Sequence, residues 1–261
     1  TEVTKEAGKM ILVDDNFATI VEAVREGRGL FSNIRKFLRY LLSGNMGEVL
    51  TIFLGVVGAG VIGLTGSSTG GGAVVLPLPA TQIPWINLVT DSWPALAMGV
   101  DPPTDDVMAR APRQLSDRVI DARMWAGVIQ IGLVVSIVTL LTIDIYLPGG
   151  LIKGTHDLAT ARTAGFTVLV LAHLFNAFNA RSDTTSAFAH LFSNPWLWGA
   201  IALSLLLQVV VVNSEFLNLA FGTVPLAFDQ WLVCIAMASV VVWYSELRKL
   251  VIRAWGQRRD A

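Results

Sequence analysis

Charged side chains are scarce in this sequence. Asp, Glu, Lys and Arg together make up 15% of its 261 residues, whereas an average soluble domain carries about 25%. The net charge of −1 leaves no basic surplus for a nucleic-acid partner. Because 53% of the residues are hydrophobic and the mean hydropathy is +0.59, the deficit of charge predicts that lipid is the main solvent of the chain.

Cysteine is almost absent as well. The single cysteine, Cys234, lies within an apolar run, which excludes an internal disulfide and a metal site made of paired cysteines. The sequence also lacks a glycine-rich phosphate-binding loop. It starts with a polar, charged stretch at Thr1 rather than with Met or an apolar signal segment, and we expect it to be part of a longer chain.

Long apolar runs, by contrast, are abundant. A helix needs about 20 largely apolar residues to cross a bilayer, and six stretches of the sequence meet that length. We expect spans at residues 37–64, 82–100, 122–147, 161–180, 195–212 and 227–247. Pro84 and Pro94 interrupt the second of these spans. The sequence therefore predicts an all-α membrane protein with six transmembrane helices.

The N-terminal segment differs from the rest of the chain. Residues 10–13 favour a short buried strand, and one of the polar residues 14–16 is expected to cap a helix that starts near Phe17. One strand and one helix are too small to form a core of their own. The predicted parts are the end of a soluble domain at 1–30, the six-helix membrane domain at 31–247 and a basic tail at 248–261.

Lys and Arg concentrate on one side of the predicted spans. They occur before the first span, between spans two and three, between spans four and five, and after the last span, whereas the opposite side carries only Lys153 and Arg162. Basic segments next to membrane spans stay in the cytoplasm. We therefore expect an integral protein of the plasma membrane with both termini in the cytoplasm.

Three ionisable residues lie deep within the predicted spans: Glu48, Asp91 and His173. Such groups are costly inside a bilayer and usually have a function there. Polar side chains accompany each of them, with Asn45 one helical turn before Glu48, Asn87 and Thr90 just before Asp91, and Asn176 and Asn179 just after His173.

Pro94 adds a backbone acceptor to this set. Because proline has no N–H, the carbonyl of Thr90 loses its helical partner, and a carbonyl inside a membrane needs another one. Ca²⁺ binds about six to eight oxygen ligands. The oxygen atoms available to it here belong to Asn45, Glu48, Asn87, Thr90 and Asp91.

The same residues also have purely structural interpretations. The amide and hydroxyl side chains can hydrogen-bond between helices, as polar residues in membrane bundles do. Glu48 can form an ion pair with His173, and Pro94 can be a simple kink. Gly44 and Gly47 are expected to let two helices approach closely. The residues alone leave these alternatives open beside an ion site.

Several motifs are shared with one known family. They are Asp14-Asp15-Asn16-Phe17-Ala18-Thr19-Ile20 followed by Glu26-Gly27-Arg28, Ser43-Gly44-Asn45-Met46-Gly47-Glu48, Asn87-Leu88-Val89-Thr90-Asp91 followed by Pro94-Ala95, and the loop from Gly99 to Arg113. Together they resemble the end of the phosphorylation domain, the fifth and sixth membrane helices and the following loop of calcium-type (type II) P-type ATPases. The six spans would then be helices five to ten of a ten-helix pump. The excess of Arg over Lys and the abundance of Ala, Gly and Val suggest a bacterial source.

The resemblance implies a set of ion ligands. Asn45, Glu48, Thr90 and Asp91 match ligands of the inner calcium site of these pumps, and Asn87 matches a ligand of the second site, to which Asp91 also contributes. His173 stands where the resemblance places a glutamate. We therefore expect one Ca²⁺ site centred on Asn87 and Asp91. The candidates for proton or ion coupling are Glu48, His173 and Asn176.

The resemblance also implies what lies upstream of this chain. The phosphorylated aspartate, the nucleotide-binding and actuator domains and four membrane helices would be there, together with the sites for ATP and Mg²⁺. No catalytic residue is expected in this chain, which alone should be inactive. Its expected partners are the lipid bilayer and the N-terminal half of the pump.

Other interpretations stay open from the sequence. The transported cation can instead be Mn²⁺, Na⁺, K⁺ or H⁺, because the ligand types favour a hard cation without ranking these ions. The chain can also belong to an ion-coupled secondary transporter, or be a remnant without transport. An Asp-Lys-Thr-Gly-Thr phosphorylation motif in the upstream sequence would distinguish a pump from the other two.

Overall fold

The computed structural model describes residues 6, 11, 16–64, 75–102, 107–109, 118–147, 150–152, 154, 157–182, 184–189 and 191–257. Its helices are α1 (Phe17–Val57), α2 (Gln82–Trp85), a π-helical turn (Ile86–Thr90), α3 (Ser92–Gly99), α4 (Ala122–Tyr146), α5 (Leu158–Ala180), α6 (Pro195–Asn213), α7 (Glu215–Phe221) and α8 (Phe228–Gln257). The part of the chain that the structure describes contains no strand, which confirms the all-α membrane class. Apart from Ile11, the predicted strand at 10–13 lies outside the described residues.

Among the residues that the structure describes, five helices are long and apolar enough to cross a membrane: α1, α4, α5, α6 and α8. They coincide with five of the six predicted spans. The second predicted span, at 82–100, differs because it is divided into α2, the π-helical turn and α3. None of these three pieces alone has the length of a spanning helix.

The break in the second span lies at Asp91. The N–H of Asp91 bonds to the carbonyl of Ile86 at 2.9 Å, which closes the wide π-helical turn, and α3 begins one residue later. Pro94 lies in the first turn of α3 and offers no N–H to the carbonyl of Thr90. The hydroxyl of Ser204 on α6 donates to this carbonyl at 2.8 Å instead. The freed carbonyl predicted from Pro94 is thus confirmed, and a neighbouring helix satisfies it.

α1 is a single helix of 41 residues and extends well beyond the predicted first span. Asn16 caps it, since its side-chain oxygen accepts a hydrogen bond of 3.0 Å from the N–H of Ala18. The helix ends at Val57, and Gly63 in the following turn takes a φ of +72°, which glycine adopts at little cost. The end of the predicted N-terminal segment, from Phe17, and most of the predicted first span therefore belong to one continuous helix.

Small residues set the distance between α1 and α4. A Cβ atom added to Gly47 would lie 2.8 Å from Cγ1 of Val135, and one added to Gly132 would lie 2.6 Å from Cγ of Met46. No larger side chain fits either position without a shift of the helices. The close contact expected at Gly47 is confirmed, and it fixes the height of Glu48, the next residue on α1.

A buried ionic group, the Asp101 cluster, lies beyond the end of α3 and comprises Asp101, Lys36, Arg181 and Asn194. The carboxylate of Asp101 accepts from Nζ of Lys36 at 2.6 Å, from Nη2 of Arg181 at 3.0 Å and from Nδ2 of Asn194 at 2.9 Å. Asn194 also caps α6 through the N–H of Leu197. One carboxylate thus joins α1, the segment after α3, the end of α5 and the start of α6.

Candidate cation site

The three deep ionisable residues come together inside the bundle. Glu48 on α1, Asp91 at the break before α3 and His173 on α5 each offer one ligand atom, and these atoms lie within 4.8 Å of one another. The residues are 4%, 1% and 0% exposed. Within the described part of the chain, this is the one group of three or more His, Cys, Asp and Glu side chains close enough to hold a metal ion.

Asp91 is the centre of the group. Its Oδ1 accepts a hydrogen bond of 3.0 Å from the hydroxyl of Tyr40, and its Oδ2 lies 2.9 Å from Nδ1 of His173. Because an ionised carboxylate only accepts, Nδ1 is the protonated nitrogen when Asp91 is ionised. The other ring nitrogen, Nε2 of His173, is buried and has no hydrogen-bond partner.

Only one of the two carboxylate oxygens of Glu48 has a hydrogen-bond partner. Nδ2 of Asn87 donates to its Oε2 at 2.7 Å and also lies 3.2 Å from the carbonyl of Ile83. The second oxygen, Oε1 of Glu48, is buried and has no hydrogen-bond partner. An unpaired buried polar atom costs about 1–3 kcal/mol. A bound cation would remove this cost at Glu48, and would do the same at the unpaired nitrogen of His173.

The break in the second span places Asp91 at the site. A π-helical turn contains one more residue than an α-helical turn and is common at functional positions. Here it ends at Asp91, and the hydroxyl of Ser92 bonds back to the carbonyl of Asn87 at 3.1 Å. Asn87 and Asp91 are thereby presented on the same side of the interrupted helix, towards α1 and α5.

Comparison with known proteins identifies the family. A family model described as "Cation transporting ATPase, C-terminus" matches residues 75–251 of this chain. The chain belongs to the cation-transporting ATPases. The match includes Asn87, Asp91 and His173, and α1 with Glu48 lies before it.

Relatives of this ATPase segment are calcium-transporting ATPases. It is 38% identical to one from Bacillus subtilis (strain 168), over 92% of this chain and 25% of that protein. It is 33% identical to calcium-transporting ATPase 3, endoplasmic reticulum-type, of Arabidopsis thaliana, over 99% of this chain and 27% of that protein. The chain spans about a quarter of the length of these relatives. The predicted resemblance to the C-terminal part of calcium-type pumps is confirmed.

The ATPase segment does not bring all predicted ligands together. Asn45 lies on an exposed face of α1. Thr90 is buried, but its hydroxyl donates to the carbonyl of Ile86 at 2.9 Å within its own turn. Asn176 donates to the hydroxyl of Ser43 at 2.7 Å, and Asn179 donates to the carbonyl of Val241 at 3.3 Å. The last two bonds tie α5 to α1 and α8, as expected from the structural interpretation.

One residue of the candidate cation site, Tyr40, was not predicted from the sequence. It is fully buried, and its hydroxyl bonds to Asp91. A signal was present, because Tyr40, Gly44 and Glu48 are spaced by four residues and so form one row along α1. The middle position must be small, since a Cβ atom on Gly44 would lie 3.1 Å from Cε1 of His173 and 3.3 Å from Oδ2 of Asp91.

Proposed function

We propose that this chain is the cation-binding membrane segment of an ATP-driven pump that exports Ca²⁺. The observation that carries the proposal is the convergence of Glu48, Asp91 and His173 at a buried point with unpaired polar atoms. The names of its relatives, which are calcium-transporting ATPases, support Ca²⁺ as the cargo. Membership of this family argues against an ion-coupled secondary transporter.

The proposed cation is held first by Glu48, Asn87 and Asp91. Two carboxylates neutralise one divalent charge, and the amide oxygen of Asn87 would turn towards the ion when its NH₂ group releases Glu48. In the structure, Asn87 donates a hydrogen bond to the carboxylate of Glu48, and Tyr40 and His173 donate to that of Asp91. Cation binding would exchange these hydrogen bonds for coordination bonds.

Asn45 and Thr90 are proposed as further ligands. Asn45 precedes Glu48 by three residues, so the two side chains point about 60° apart around α1. A rotation of α1 about its axis would bring the amide of Asn45 towards the ion. The carbonyl of Thr90 keeps a second lone pair beside its bond to Ser204.

A single Ca²⁺ is proposed rather than two. His173 supplies a nitrogen where the family resemblance implies a glutamate, so the described site has two carboxylates and no third. Two carboxylates balance one Ca²⁺, and a second ion would leave an excess of buried positive charge. A role of His173 and Asn176 in proton or ion coupling stays a prediction.

We propose that phosphorylation, ATP binding and Mg²⁺ binding belong to the upstream part of the pump. α1 would connect that part to the site, because it runs without a break from Phe17 past Glu48. At 1.5 Å per residue, a helix of this length is about 60 Å long. Movement of its exposed N-terminal half would reach Glu48 and change access to the site. Both termini are proposed to be cytoplasmic, in the plasma membrane.

Calcium-dependent ATP hydrolysis by the full-length pump tests the proposal. Replacement of Asp91 by Asn should abolish the dependence on Ca²⁺, because a neutral amide cannot balance the charge of the ion. Asp144→Asn is the matched control, since Asp144 is equally buried but accepts from the N–H groups of Leu151 and Ile152 in a loop. An Asp91→Asn pump with unchanged calcium activation would refute the proposed site.

A further inference from the structure

We infer that the end of the bundle where α4 begins and α8 ends binds the phosphate of an anionic phospholipid, with Arg248 as its main ligand. The site, the Arg248 groove, lies between α4 and α8 and comprises Arg123, Gly127 and Arg248. The inference goes beyond the proposed function, because its ligand is a lipid at the edge of the membrane and the transported cation is bound elsewhere.

The guanidinium of Arg248 rests on the backbone of α4 at Gly127. A Cβ atom added to Gly127 would lie 3.2 Å from Nη2 and 3.6 Å from both Cζ and Nη1 of Arg248, so glycine provides the space for this flat group. Arg248 is only partly exposed, and it makes no hydrogen bond or ion pair with any residue that the structure describes. Its N–H groups therefore stay available to a ligand that enters the groove.

Positive charge is in excess around the Arg248 groove. Residues 121–127 and 244–254 contain four basic side chains and two carboxylates, which are Arg123, Arg248, Lys249 and Arg253, and Asp121 and Glu246. Both carboxylates have other partners, because Asp121 pairs with Arg35 at 2.8 Å and Glu246 accepts from the N–H of Ala187 at 2.7 Å. Such an excess favours a headgroup with a net negative charge over a zwitterionic one.

The length of α8 places the groove at the boundary of the hydrocarbon core. α8 has 30 residues, which makes it about 45 Å long, whereas the core of a bilayer is about 30 Å thick. A span of about 20 residues that starts at Phe228 ends near Leu247, so Arg248 is the first residue beyond it. Trp125 on α4 and Trp243 on α8 are exposed in the same part of the molecule, as is typical of the membrane interface.

A phospholipid matches both the charged and the apolar parts of this surface. A phosphate can accept two parallel hydrogen bonds from one guanidinium. On the membrane side of the groove, Ile129 and Leu133 of α4 are exposed, and acyl chains would cover them. Beyond Arg248, the exposed Leu250 and Val251 accompany the basic residues of α8, a composition that favours binding to anionic lipid.

Native mass spectrometry of the purified full-length pump in detergent tests the inference, with phosphatidylglycerol and phosphatidylcholine as probes. The pump should bind phosphatidylglycerol about fivefold more tightly or better, because of the excess basic charge. Arg248→Lys should weaken this binding by about tenfold, since lysine keeps the charge but loses a charge-assisted hydrogen bond of the guanidinium. Arg253→Lys is the matched control, because Arg253 is exposed and its Nε bonds to the carbonyl of Lys249 within α8. Its effect should stay within about twofold.

The outcomes separate this inference from the proposed function. Equal affinity for the two lipids would overturn the inference, and so would equal effects of Arg248→Lys and Arg253→Lys in protein that thermal unfolding shows to be folded. Displacement of the lipid by an equal concentration of glycerol 3-phosphate, which has no acyl chains, would also overturn it. A pump without lipid preference that binds Ca²⁺ through Asp91 would leave the proposed function standing. A pump that binds phosphatidylglycerol through Arg248 and binds no Ca²⁺ would overturn the proposed function alone.

Discussion

The hydroxyl of Ser204 on α6 donates a 2.8 Å hydrogen bond to the carbonyl of Thr90. This is the carbonyl that Pro94 leaves without a helical partner, and it lies one residue before Asp91. The break that presents Asp91 to the site is therefore stabilised from outside, by a helix that contributes no carboxylate or histidine to the group.

Replacement of Ser204 by Ala should destabilise the protein by about 1–2 kcal/mol, because the carbonyl of Thr90 would stay buried without its donor. The measurement is thermal unfolding of the full-length pump in detergent. Ser239→Ala is the matched control, since its hydroxyl bonds only back within α8, to the carbonyl of Ala236. Its effect should stay within about 0.5 kcal/mol. Equal effects of the two substitutions would contradict this role of Ser204.

Loss of the charge at the centre of the Asp101 cluster should destabilise the protein more than Ser204→Ala does. Asp101→Asn would leave the buried charges of Lys36 and Arg181 facing a neutral amide, which costs about 3–5 kcal/mol when one member of a buried ion pair is lost. Thermal unfolding measures the loss. Asp121→Asn serves as control, because its pair with Arg35 is partly exposed and asparagine also caps helices. If Asp101→Asn were no worse than the control, the cluster would not hold the helices together.

The close contact of α1 and α4 predicts a rescue. Gly47→Ala places a methyl group 2.8 Å from Cγ1 of Val135, and such overpacking costs about 1–3 kcal/mol. Val135→Ala in the same protein should recover most of that loss, whereas Val135→Ala alone should destabilise it by leaving a cavity. A double-mutant cycle on thermal stability measures the coupling. Strictly additive effects would show that the two residues do not limit each other.

Acid should weaken the start of α4 through Asp121. The backbone N–H of Met124 and, to a lesser extent, the guanidinium of Arg35 hold the pKa of Asp121 below its ordinary value, against partial burial, which raises it. A lowered pKa in the folded state means that Asp121 stabilises the fold above the unfolded value of about 3.9, and that this stabilisation is lost as pH falls through the lower folded value.

The measurement is the stability of the protein at a pH above the pKa of Asp121 and at an acidic pH, in the unmodified protein and in Asp121→Asn. Between pH 6 and pH 3, the unmodified protein should lose more stability than Asp121→Asn, which has no carboxyl to protonate at this cap. Identical pH profiles of the two proteins would rule out this contribution of Asp121. The comparison needs no absolute stability, only the difference between the profiles.

The sequence predicted most of the helices because their signals are local. Five spans follow from uninterrupted apolar runs, and Asn16 lies next to the helix start that it caps. The carbonyl of Thr90 was identified because proline acts four residues away along the same chain. A site shared by Glu48 and Asp91 was also expected, since isolated ionisable groups in a membrane have few stable alternatives. His173 was linked to this site only through the family resemblance and a possible ion pair with Glu48.

The features that the sequence did not predict depend mostly on how helices distant in the sequence pack against one another. The π-helical turn adds a residue that no propensity marks, and α1 continues through Gly27 and Gly29 although glycine weakens a helix. The bonds from Tyr40 to Asp91 and from Ser204 to Thr90 require the rotation and height of α1 and α6 relative to the broken span. Asn45 was expected in the site, yet its face of α1 is exposed.

Equilibrium binding of ⁴⁵Ca²⁺ to the purified full-length pump tests the central claim most directly. We predict one tightly bound Ca²⁺ per pump, lost in both Glu48→Gln and Asp91→Asn and kept in Asp144→Asn, because two carboxylates from α1 and the broken span hold one ion together. Two tightly bound Ca²⁺ ions, or one that survives both substitutions in folded protein, would contradict the account.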